Sequence, residues 1–393
     1  MILQIIDQES EKKQKMLADD PYDNDLKNQM FVEESKFTDY VPFKKKIRYK
    51  NRPKFTLHWK RLLSLEIIKN TMYALSQHVS FVKGQTVGAV SNSKQDVQTL
   101  IEIPITATIE EVFDVLLAEN ILSIPPIFDN VNGNNNDERN DYREINLDGK
   151  SSFLQKPIGE LIGLTPESTH LTICHHEDSL ADLLDLFTRR QIHRVLVADK
   201  TSIEDTDVEQ TINEDISQPC FISQTDVVRF LFQNNHRLGK ILDTMAADVV
   251  GKAIRVNESL PFERRNLLRQ PSSVTIHDQA LTAFRKIHQD EVSAVAVVND
   301  DGTLVSEVSA ADLRGLNRER LSDLKKPVIM FLVSCKGALI KPFTCHGKFT
   351  LSQVMAGILT SKTHRAWVVD EDDVPIGVIT LSDILAMFLP ESA

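Results

Sequence analysis

The feature that most constrains the fold of this chain is a segment pattern that occurs four times between residues 84 and 393. Each copy, called a unit here and numbered in chain order, predicts a short strand, an amphipathic helix, two more strands and a final helix. The helices carry apolar residues at positions i, i+3 and i+4, and the central strands are β-branched runs such as VLVA and AVAVV. Because such strands are apolar on both faces, they need helices over the sheet. The sequence therefore predicts an α/β fold of four β-α-β-β-α repeats.

The fourth unit carries the most detailed pattern of polar residues. His364 and Arg365 open its central strand, Thr380 ends the next strand, and Asp383 lies just inside the following helix. This order predicts basic side chains, a hydroxyl and an acid in one strand–turn–strand–helix segment. The second unit repeats the order with His193, Arg194, Ser223 and Asp226. The recurrence favours a shared role for these positions.

The Ser/Thr-x-x-Asp sequence before a final helix has two interpretations. In a capping box, the hydroxyl and the carboxylate satisfy free amides of the helix. In a binding site, the helix N-terminus attracts a phosphate and the carboxylate accepts hydrogen bonds from a diol. A third copy at Ser309 and Asp312 favours the binding role, although its central strand opens with Ser293 and has no His-Arg pair. Where the pair is present, it supplies positive charge for a phosphate, and the protonation of its histidine is left open.

The first unit departs from this pattern. Leu122 and Ser123 precede its central strand where a basic residue is expected, and SSFLQKPIGELIG after the insert lacks Ser/Thr-x-x-Asp. We therefore expect this half-site to be empty or to supply only an apolar wall. The polar insert at 129–150 and the acidic insert of the second unit at 199–215 are predicted to be surface loops.

The four units resemble cystathionine-β-synthase (CBS) domains, which pair into Bateman modules. The resemblance covers roughly residues 84–393 and rests on IHRVLVAD and FISQTDVVRFL in unit 2, SAVAVVNDDG in unit 3, and THRAWVVDEDDVPIGVITLSDILAMFL in unit 4. Four such domains without a catalytic domain are similar to the γ regulatory subunit of the AMP-activated / sucrose-non-fermenting protein kinase family. The resemblance implies two tandem modules, with the boundary between the pairs in the segment 236–270.

In that family, adenine nucleotides occupy clefts between paired domains, with the ribose on an aspartate and the phosphate on basic and hydroxyl groups. Carried onto this chain, the resemblance implies the nucleotide-binding residues His193, Arg194, Ser223, Thr225, Asp226, Ser309, Asp312, His364, Arg365, Thr380, Ser382 and Asp383. It also implies AMP, ADP and ATP as competing regulatory ligands in an energy-sensing role. The implied partners are a kinase catalytic (α) subunit and a scaffold (β) subunit, and the chain itself is expected to be non-catalytic.

The repeat sets the predicted domain boundaries. They are 1–54 for a flexible acidic arm with a basic linker, 55–83 for an N-terminal helix, 84–165 for a degenerate first CBS domain, 166–247 for the second, 248–325 for the third and 326–393 for the fourth. The linker sequence KKKIRYKNRPK at 44–54 fits a nuclear-import signal or a contact for an acidic partner. The favoured interpretation is a solvated linker whose charge offsets the acidic arm.

Composition narrows the class of protein. The net charge of −11 argues against a general nucleic-acid binder or a protein of anionic membrane surfaces. The four cysteines have no CxxC spacing, so we expect free thiols in a reducing compartment. The sequence shows neither a secretory signal nor an apolar run long enough to span a membrane, so we expect a cytoplasmic location, with the nucleus as a further one.

A second hypothesis is a CBS-repeat scaffold or inhibitor that acts on a protein phosphatase or another signalling partner without nucleotide sensing. The degenerate first unit, the acidic inserts and the arm would then be its contact surfaces. An enzyme is not predicted, because the sequence has no Ser-His-Asp set, phosphate-cradling glycine loop or paired catalytic carboxylates. No metal cofactor is predicted either, since His175 and His176 beside Cys174 lack a partner at ligand spacing.

Overall fold

The computed structural model describes residues 77–94, 101–121, 126–127, 152–162, 171–198, 219–252, 271–314, 316–317 and 319–389. The predicted arm, the basic linker, most of the N-terminal helix and both polar inserts lie outside these residues, as do Leu122 and Ser123. All described residues belong to one compact body. None of the helices in this part of the chain has the length and apolar character needed to cross a membrane.

The elements follow the predicted order. The helices are α1 (77–83), α2 (Val87–Asn92), α3 (Ile109–Ala118), α4 (Leu180–Thr188), α5 (Gln224–Gln233), α6 (Ala246–Val249), α7 (Ala280–Gln289), α8 (Val328–Lys336), α9 (Leu351–Ser361) and α10 (Leu381–Ala386). The strands are β1 (Ile103–Pro104), β2 (Pro126–Ile127), β3 (Ile173–Cys174), β4 (Arg194–Val197), β5 (Cys220–Ser223), β6 (Ser273–Thr275), β7 (Ala294–Val298), β8 (Leu304–Ser309), β9 (Thr344–His346), β10 (Arg365–Val369) and β11 (Pro375–Thr380). Short 3-10 helices cover Ser152–Gln155, Ile158–Leu161, Asn235–Arg237, Gly239–Asp243, Ala310–Leu313 and Leu321–Lys325.

Units 2, 3 and 4 each contain a three-stranded sheet, in the orders β3-β4-β5, β6-β7-β8 and β9-β10-β11. The central strand pairs in parallel with the first strand and antiparallel with the third. The parallel pair needs a crossover, which the amphipathic helix supplies, whereas the antiparallel pair is a hairpin. In unit 1 the described residues contain the parallel pair β1–β2. The predicted α/β repeat is confirmed.

The central hairpins of units 3 and 4 close through tight turns. In unit 3, Gly302 has φ +86° and its amide donates to the Asn299 carbonyl at 3.0 Å. In unit 4, Asp373 has φ +61°, and the Val374 amide donates to the Asp370 side chain at 2.9 Å. Both turns use residues that tolerate a left-handed backbone, because glycine and aspartate are less strained there than branched side chains.

The units pair because the segment that precedes each unit packs on the other unit of the pair. Each segment forms an isolated bridge to the start of the first helix in the other unit of its pair: Thr86 with Ser179, Pro157 with Thr108, Met245 with Thr350, and Pro327 with Gln279. For example, the Val328 amide at the start of α8 donates to the Asp278 carbonyl of unit 3 at 2.7 Å. These contacts tie unit 1 to unit 2 and unit 3 to unit 4. These two pairs are the two predicted modules.

The hydrophobic clusters cross the boundary between the modules. The largest cluster joins unit 2 to unit 4 and includes Phe187 and Leu385. A second cluster joins unit 1 to unit 3 and includes Ile109 and Phe284. A third, smaller cluster packs Trp367 of unit 4 against small side chains of β7 in unit 3. The helices of one module therefore pack on the helices of the other module. The sheets of units 3 and 4, in contrast, pack on each other inside a single module.

The final segment of unit 3 differs from its prediction. The sequence predicts an α-helix, but residues Ala310–Leu313 form a 3-10 helix and the backbone turns extended at Arg314, with φ −60° and ψ 139°. The Nε of Arg314 donates to the Ala311 carbonyl at 3.1 Å, which is an acceptor that a continuing helix would use. Its guanidinium also donates to the Ile121 carbonyl of unit 1 at 3.2 Å. The α-helix prediction was wrong because tertiary contacts of Arg314 replace the helical hydrogen bonds.

The cysteines are free thiols, as expected from their spacing. Cys174, Cys220 and Cys345 are buried, and Cys335 is half-buried. Burial raises the pKa of Cys174 and Cys345 to about 11, and the charge of Asp178 adds to the effect on Cys174. These two thiols are therefore protonated at neutral pH and serve as small core side chains.

Candidate functional site

The strand pairs bring the basic and hydroxyl residues of units 2 and 4 to the same end of their sheets. Arg365 is directly opposite Thr380 across β10 and β11, and Arg194 is directly opposite Ser223 across β4 and β5. Unit 3 has Ala294 at the position of these arginines. In units 2 and 4 the third strand runs straight into the next helix, so the start of that helix lies beside the basic residue.

The Ser/Thr-x-x-Asp sequences form capping boxes in all three units. In unit 4, the Thr380 amide and hydroxyl donate to Asp383 Oδ2 at 2.9 and 2.7 Å, and the Asp383 amide donates back at 3.2 Å. In unit 2, the Ser223 amide and hydroxyl donate to Asp226 Oδ2 at 2.9 and 2.8 Å. Unit 3 forms the same box with Ser309 and Asp312. The structural interpretation of the motif is therefore correct, and any binding role is additional to it.

Lysine side chains contact two of the capping aspartates. Lys94 Nζ, just after α2, lies 3.3 Å from Asp226 Oδ2. Lys336 Nζ, at the end of α8, lies 3.1 Å from Asp312 Oδ1. Both lysines belong to segments that pack on the other unit of a pair. The pairing of units therefore gives Asp226 and Asp312 each an ion-pair partner. Asp383 of unit 4 is almost fully buried, with 3% of its surface exposed.

Arg365 lies in the contact between units 3 and 4 and is 8% exposed. Its guanidinium donates to Glu307 Oε1 at 3.1 Å and to Ser293 Oγ at 3.1 Å. The indole of Trp367 donates to the other oxygen of Glu307 at 2.7 Å. A phosphate that used Arg365 would therefore compete with a carboxylate for it.

Ser382 and Thr225 occupy equivalent positions, each the second residue of its helix. The buried side chain of Gln224 donates to Ser382 Oγ at 2.9 Å and to the Phe187 carbonyl at 3.2 Å. Ser382 thus takes part in the contact between units 2 and 4. Thr225 is half-buried in the same region.

Charged residues from three units converge near the strand starts of units 2 and 4. Desolvation lowers the pKa of His364, the positive charges of Arg365, Arg194 and Arg314 lower it further, and the charge of Glu307 raises it. Burial likewise lowers the pKa of Arg194. The imidazole keeps contact with solvent, yet the protein surrounds enough of it to disfavour its charged form. His364, Arg365, Arg194, Arg314 and Glu307 are called the central cluster here.

Two members of the central cluster were missed by sequence reasoning. Arg314 lies two positions after Asp312, and the predicted helix would have carried it away from the site. Glu307 lies in β8, where its signal was a charge within a strand of otherwise small and apolar residues. The exposed His193 is adjacent to Arg194 at the start of β4. Of the predicted residues, Arg194, His364 and Arg365 thus lie near one another, and Arg365 also contacts Glu307.

Metal ligation is not suggested by the described residues, which hold no group of three or more His, Cys, Asp or Glu side chains suited to an ion. His175 Nδ1 instead lies 3.0 Å from the Ala198 carbonyl. A surface cavity of about 580 Å³ is lined by Thr86, Gly88, Ala89, Asn92, His176 and Glu177. None of the predicted site residues lines it, so its chemistry is separate from the central cluster.

This chain is similar to one protein family and to several known proteins. The CBS domain family matches residues 338–389, which cover most of unit 4. The chain is 26% identical over 254 residues to the SNF1-related protein kinase regulatory subunit gamma-like PV42b of Arabidopsis thaliana, covering 61% of this chain and 70% of the relative. It is 22% identical over 304 residues to protein SDS23 of Saccharomyces cerevisiae, covering 70% of this chain and 54% of the relative. The chain thus spans about half the length of the SDS23 protein.

A solved structure shows the same fold. It is a Methanocaldococcus jannaschii protein proposed as an archaeal homologue of γ-AMPK, with a TM-score of 0.50 and 15% sequence identity, covering 77% of this chain and 99% of that one. At this identity the likeness concerns the fold alone. Together with the contacts between paired units and the three equivalent capping boxes, these matches identify the architecture. The described residues have the fold of four repeats in two pairs, the fourth repeat matches the CBS domain family, and the chain is similar to a γ-like regulatory subunit of an SNF1-related protein kinase.

Proposed function

We propose that the chain is a non-catalytic regulatory subunit that senses adenine nucleotides for a Ser/Thr protein kinase of the SNF1/AMP-activated type. AMP, ADP and ATP bind in clefts between its CBS repeats. They compete because they share adenosine and differ in phosphate charge. The bound state biases contact with the catalytic (α) and scaffold (β) subunits, in the cytoplasm and the nucleus.

The central cluster is the observation that carries this proposal. Arg194, Arg314 and the pair His364 and Arg365 come from three units. The positive charges of the three arginines lower the pKa of His364, and that of Arg314 also lowers the pKa of Arg194. In a chain of net charge −11, cations that are desolvated together are stabilised by an anion bound among them. Arginine suits phosphate oxygens because its guanidinium donates two parallel hydrogen bonds. A nucleotide phosphate is therefore the ligand group that this cluster fits best.

The kinase part of the proposal is supported by the relatives. The Arabidopsis thaliana relative is named as a regulatory subunit of an SNF1-related protein kinase, and the alignment covers 70% of its length. Paired CBS-type repeats have surfaces for ligands and partners, which suits a regulatory role.

Isothermal titration calorimetry with AMP, ADP and ATP tests the proposal. We expect micromolar-range binding to the wild-type chain. Arg314→Gln and Arg194→Gln should each weaken binding roughly tenfold, because each removes a charged hydrogen-bond donor to phosphate. Arg189→Gln is the matched control, since it removes the same charge from an exposed i,i+4 pair with Asp185 on α4. Affinities that are equal in all four proteins would refute the assignment of the phosphate site.

The scaffold hypothesis has one observation in its favour. Arg365, Asp226 and Asp312 all have intramolecular partners of opposite charge, as expected if these positions serve packing alone. Co-purification from the source cell separates the two hypotheses. A kinase heterotrimer supports the sensing subunit, whereas a phosphatase, or the lack of kinase subunits, supports the scaffold.

A further inference from the structure

We infer that two lysines of this chain occupy aspartates that were predicted to bind the ribose, and that a nucleoside binds there only by displacing them. The lysines are Lys94, on Asp226, and Lys336, on Asp312. The inference rests on the proposed function, because it concerns the same class of ligand. It adds two residues outside the predicted binding set and makes the pairing of units an autoinhibitory contact.

The two lysines make equivalent contacts. Lys94 Nζ lies 3.3 Å from Asp226 Oδ2 and donates at 2.7 Å to the carbonyl five residues before that aspartate. Lys336 Nζ lies 3.1 Å from Asp312 Oδ1 and donates at 3.4 Å to the carbonyl at the same offset. Because a carboxylate and a backbone carbonyl recur at one offset in two units, the contact is a feature of the repeat.

In unit 2 the donors of the chain use both oxygens of Asp226. The Ser223 amide and hydroxyl donate to Oδ2 at 2.9 and 2.8 Å, and Lys94 pairs with the same oxygen. The exposed Arg229 adds a longer contact to Oδ1 at 3.4 Å. A carboxylate has about four acceptor sites, and a diol donates two hydrogen bonds. A diol therefore binds this aspartate only after a donor from the chain has left.

In unit 3 the lysine pairs with the oxygen that the Ser309 amide does not use. That amide donates to Asp312 Oδ2 at 2.9 Å, whereas Lys336 lies on Oδ1. The serine is fixed next to the aspartate by the capping box, so it stays when a ligand arrives. The lysine is the partner that a diol has to replace.

Both ion pairs are shielded from solvent. The side chains of Lys94 and Asp226 are 19% and 11% exposed. Those of Lys336 and Asp312 are 24% and 11% exposed. Salt screens such pairs less than pairs on the open surface, so they compete with an incoming ligand. Each lysine follows or ends a helix that packs on the other unit of its pair, and the pairing thus sets the competition.

Calorimetry with adenosine and with dideoxyadenosine, which lacks the two hydroxyls of the diol, tests the inference. Both nucleosides are neutral, so the loss of a lysine charge does not act on them directly. We expect the double variant Lys94→Met, Lys336→Met to bind adenosine about tenfold more tightly than wild type, because each aspartate gains a place for the diol. Dideoxyadenosine should change by less than about twofold. Lys341→Met is the matched control, since it removes an ammonium from an exposed pair with Asp373.

Lysine labelling is a second test, and it uses the wild-type chain, so it does not depend on the folding of a variant. Reductive methylation followed by mass spectrometry measures the reactivity of each amine. Lys94 and Lys336 should react more slowly than Lys341 in the free chain, because their side chains are less exposed. At saturating adenosine their reactivity should rise, since the displaced ammonium groups enter solvent, and that of Lys341 should stay the same.

Three results would overturn the inference: unchanged adenosine affinity of the double variant, an equal gain for both nucleosides, or unchanged or slower labelling of the two lysines at saturating adenosine. The proposed function stands in each case if AMP binds the wild-type chain. If no adenylate binds the wild-type chain, the proposed function fails, and the double variant decides the inference. Adenosine binding to that variant supports it, and the absence of binding overturns it.

Discussion

Among individual residues, the capping aspartates accept hydrogen bonds at the start of a helix, so a role in binding would come in addition to this structural role. Asp383 accepts the Thr380 amide and hydroxyl through one oxygen, and it is buried. A loss of ligand binding in an alanine variant would therefore mix two effects. Stability and affinity have to be measured separately at this position.

Asp383→Ala should lower the free energy of unfolding by about 1–2 kcal/mol, because the Thr380 amide loses its partner inside the protein. Urea denaturation measures this change. Glu371→Ala, in the exposed turn of the same hairpin, is the control and should leave the stability unchanged. If Asp383→Ala is as stable as wild type, the capping box does not contribute to the stability of this chain.

His364 makes the stability depend on pH. Its pKa in the folded chain is lowered from about 6.5, mainly by desolvation and then by Arg365, so the folded state binds fewer protons than the unfolded state. Its contribution is present above the unfolded pKa and is lost as the pH falls below it. The unfolded pKa of about 6.5 places the start of this loss just below neutrality.

Urea midpoints measured between about pH 7 and pH 5 should therefore fall more steeply for the wild-type chain than for His364→Gln. His78 has a pKa lowered by burial and acts in the same direction, so the difference between the two proteins isolates His364. Parallel midpoints across this range would show that the imidazole is not perturbed.

Only the site residues that a local sequence pattern marks were predictable from the sequence. His193, Arg194, His364 and Arg365 stand out because a repeat aligns them with hydroxyl and acidic residues. Glu307 and its contact with Arg365 were not predictable, because they depend on how the sheets of two units meet. Sequence order also cannot separate capping from binding, since both use the same hydroxyl and carboxylate.

Among the secondary-structure elements, apolar periodicity predicted the helices and sheets of units 2 to 4 well, because helix and strand periods differ. It failed at Ala310–Leu313, where the side chain of Arg314 takes a backbone acceptor. Apolar periodicity also could not predict that α2, α6 and α8 pack on the other unit of their pair. These segments bridge to units distant in sequence, and their own patterns do not identify the partner.

Helix α9 contains a glycine that packing requires. A Cβ placed on Gly357 would lie 2.0 Å from Cζ of the Phe343 ring, so the helix approaches that ring without a side chain between them. In an exposed helix, Gly→Ala gains about 1 kcal/mol of stability. Here the clash outweighs that gain.

Gly357→Ala should therefore lower the midpoint of thermal unfolding by several degrees, about what 1–3 kcal/mol of overpacking produces. Phe343→Leu in the same background should restore part of the loss, because it removes the clashing ring atoms. An unchanged or higher midpoint for Gly357→Ala would mean that the ring moves freely and that α9 is not tightly packed there.

For the molecule as a whole, the hydrophobic clusters bind the modules together. One cluster contains residues of units 2 and 4, another contains residues of units 1 and 3, and a third joins units 3 and 4. Because each of these clusters of described residues crosses from one unit to another, the loss of one unit exposes apolar surface on another. The four units should therefore unfold as one cooperative body.

The two tryptophans, Trp59 and Trp367, allow a test of this cooperativity. In a Trp59→Phe chain, fluorescence reports only on Trp367, which is buried between units 3 and 4. We expect its denaturant midpoint to coincide with that of far-UV circular dichroism, which reports on the whole chain. Two separated midpoints would show that the modules unfold independently.

Native mass spectrometry of the purified chain, alone and with added AMP, tests most directly whether a nucleotide binds at the meeting point of the units. The wild-type chain should carry one or more bound adenylates, and Arg314→Gln should carry fewer at the same ligand concentration, because it lacks a cation of the central cluster. The Arg189→Gln control should match wild type. A wild-type spectrum with only the bare chain, or equal adenylate binding by wild type and Arg314→Gln, would contradict a nucleotide site built on Arg194, Arg314 and His364.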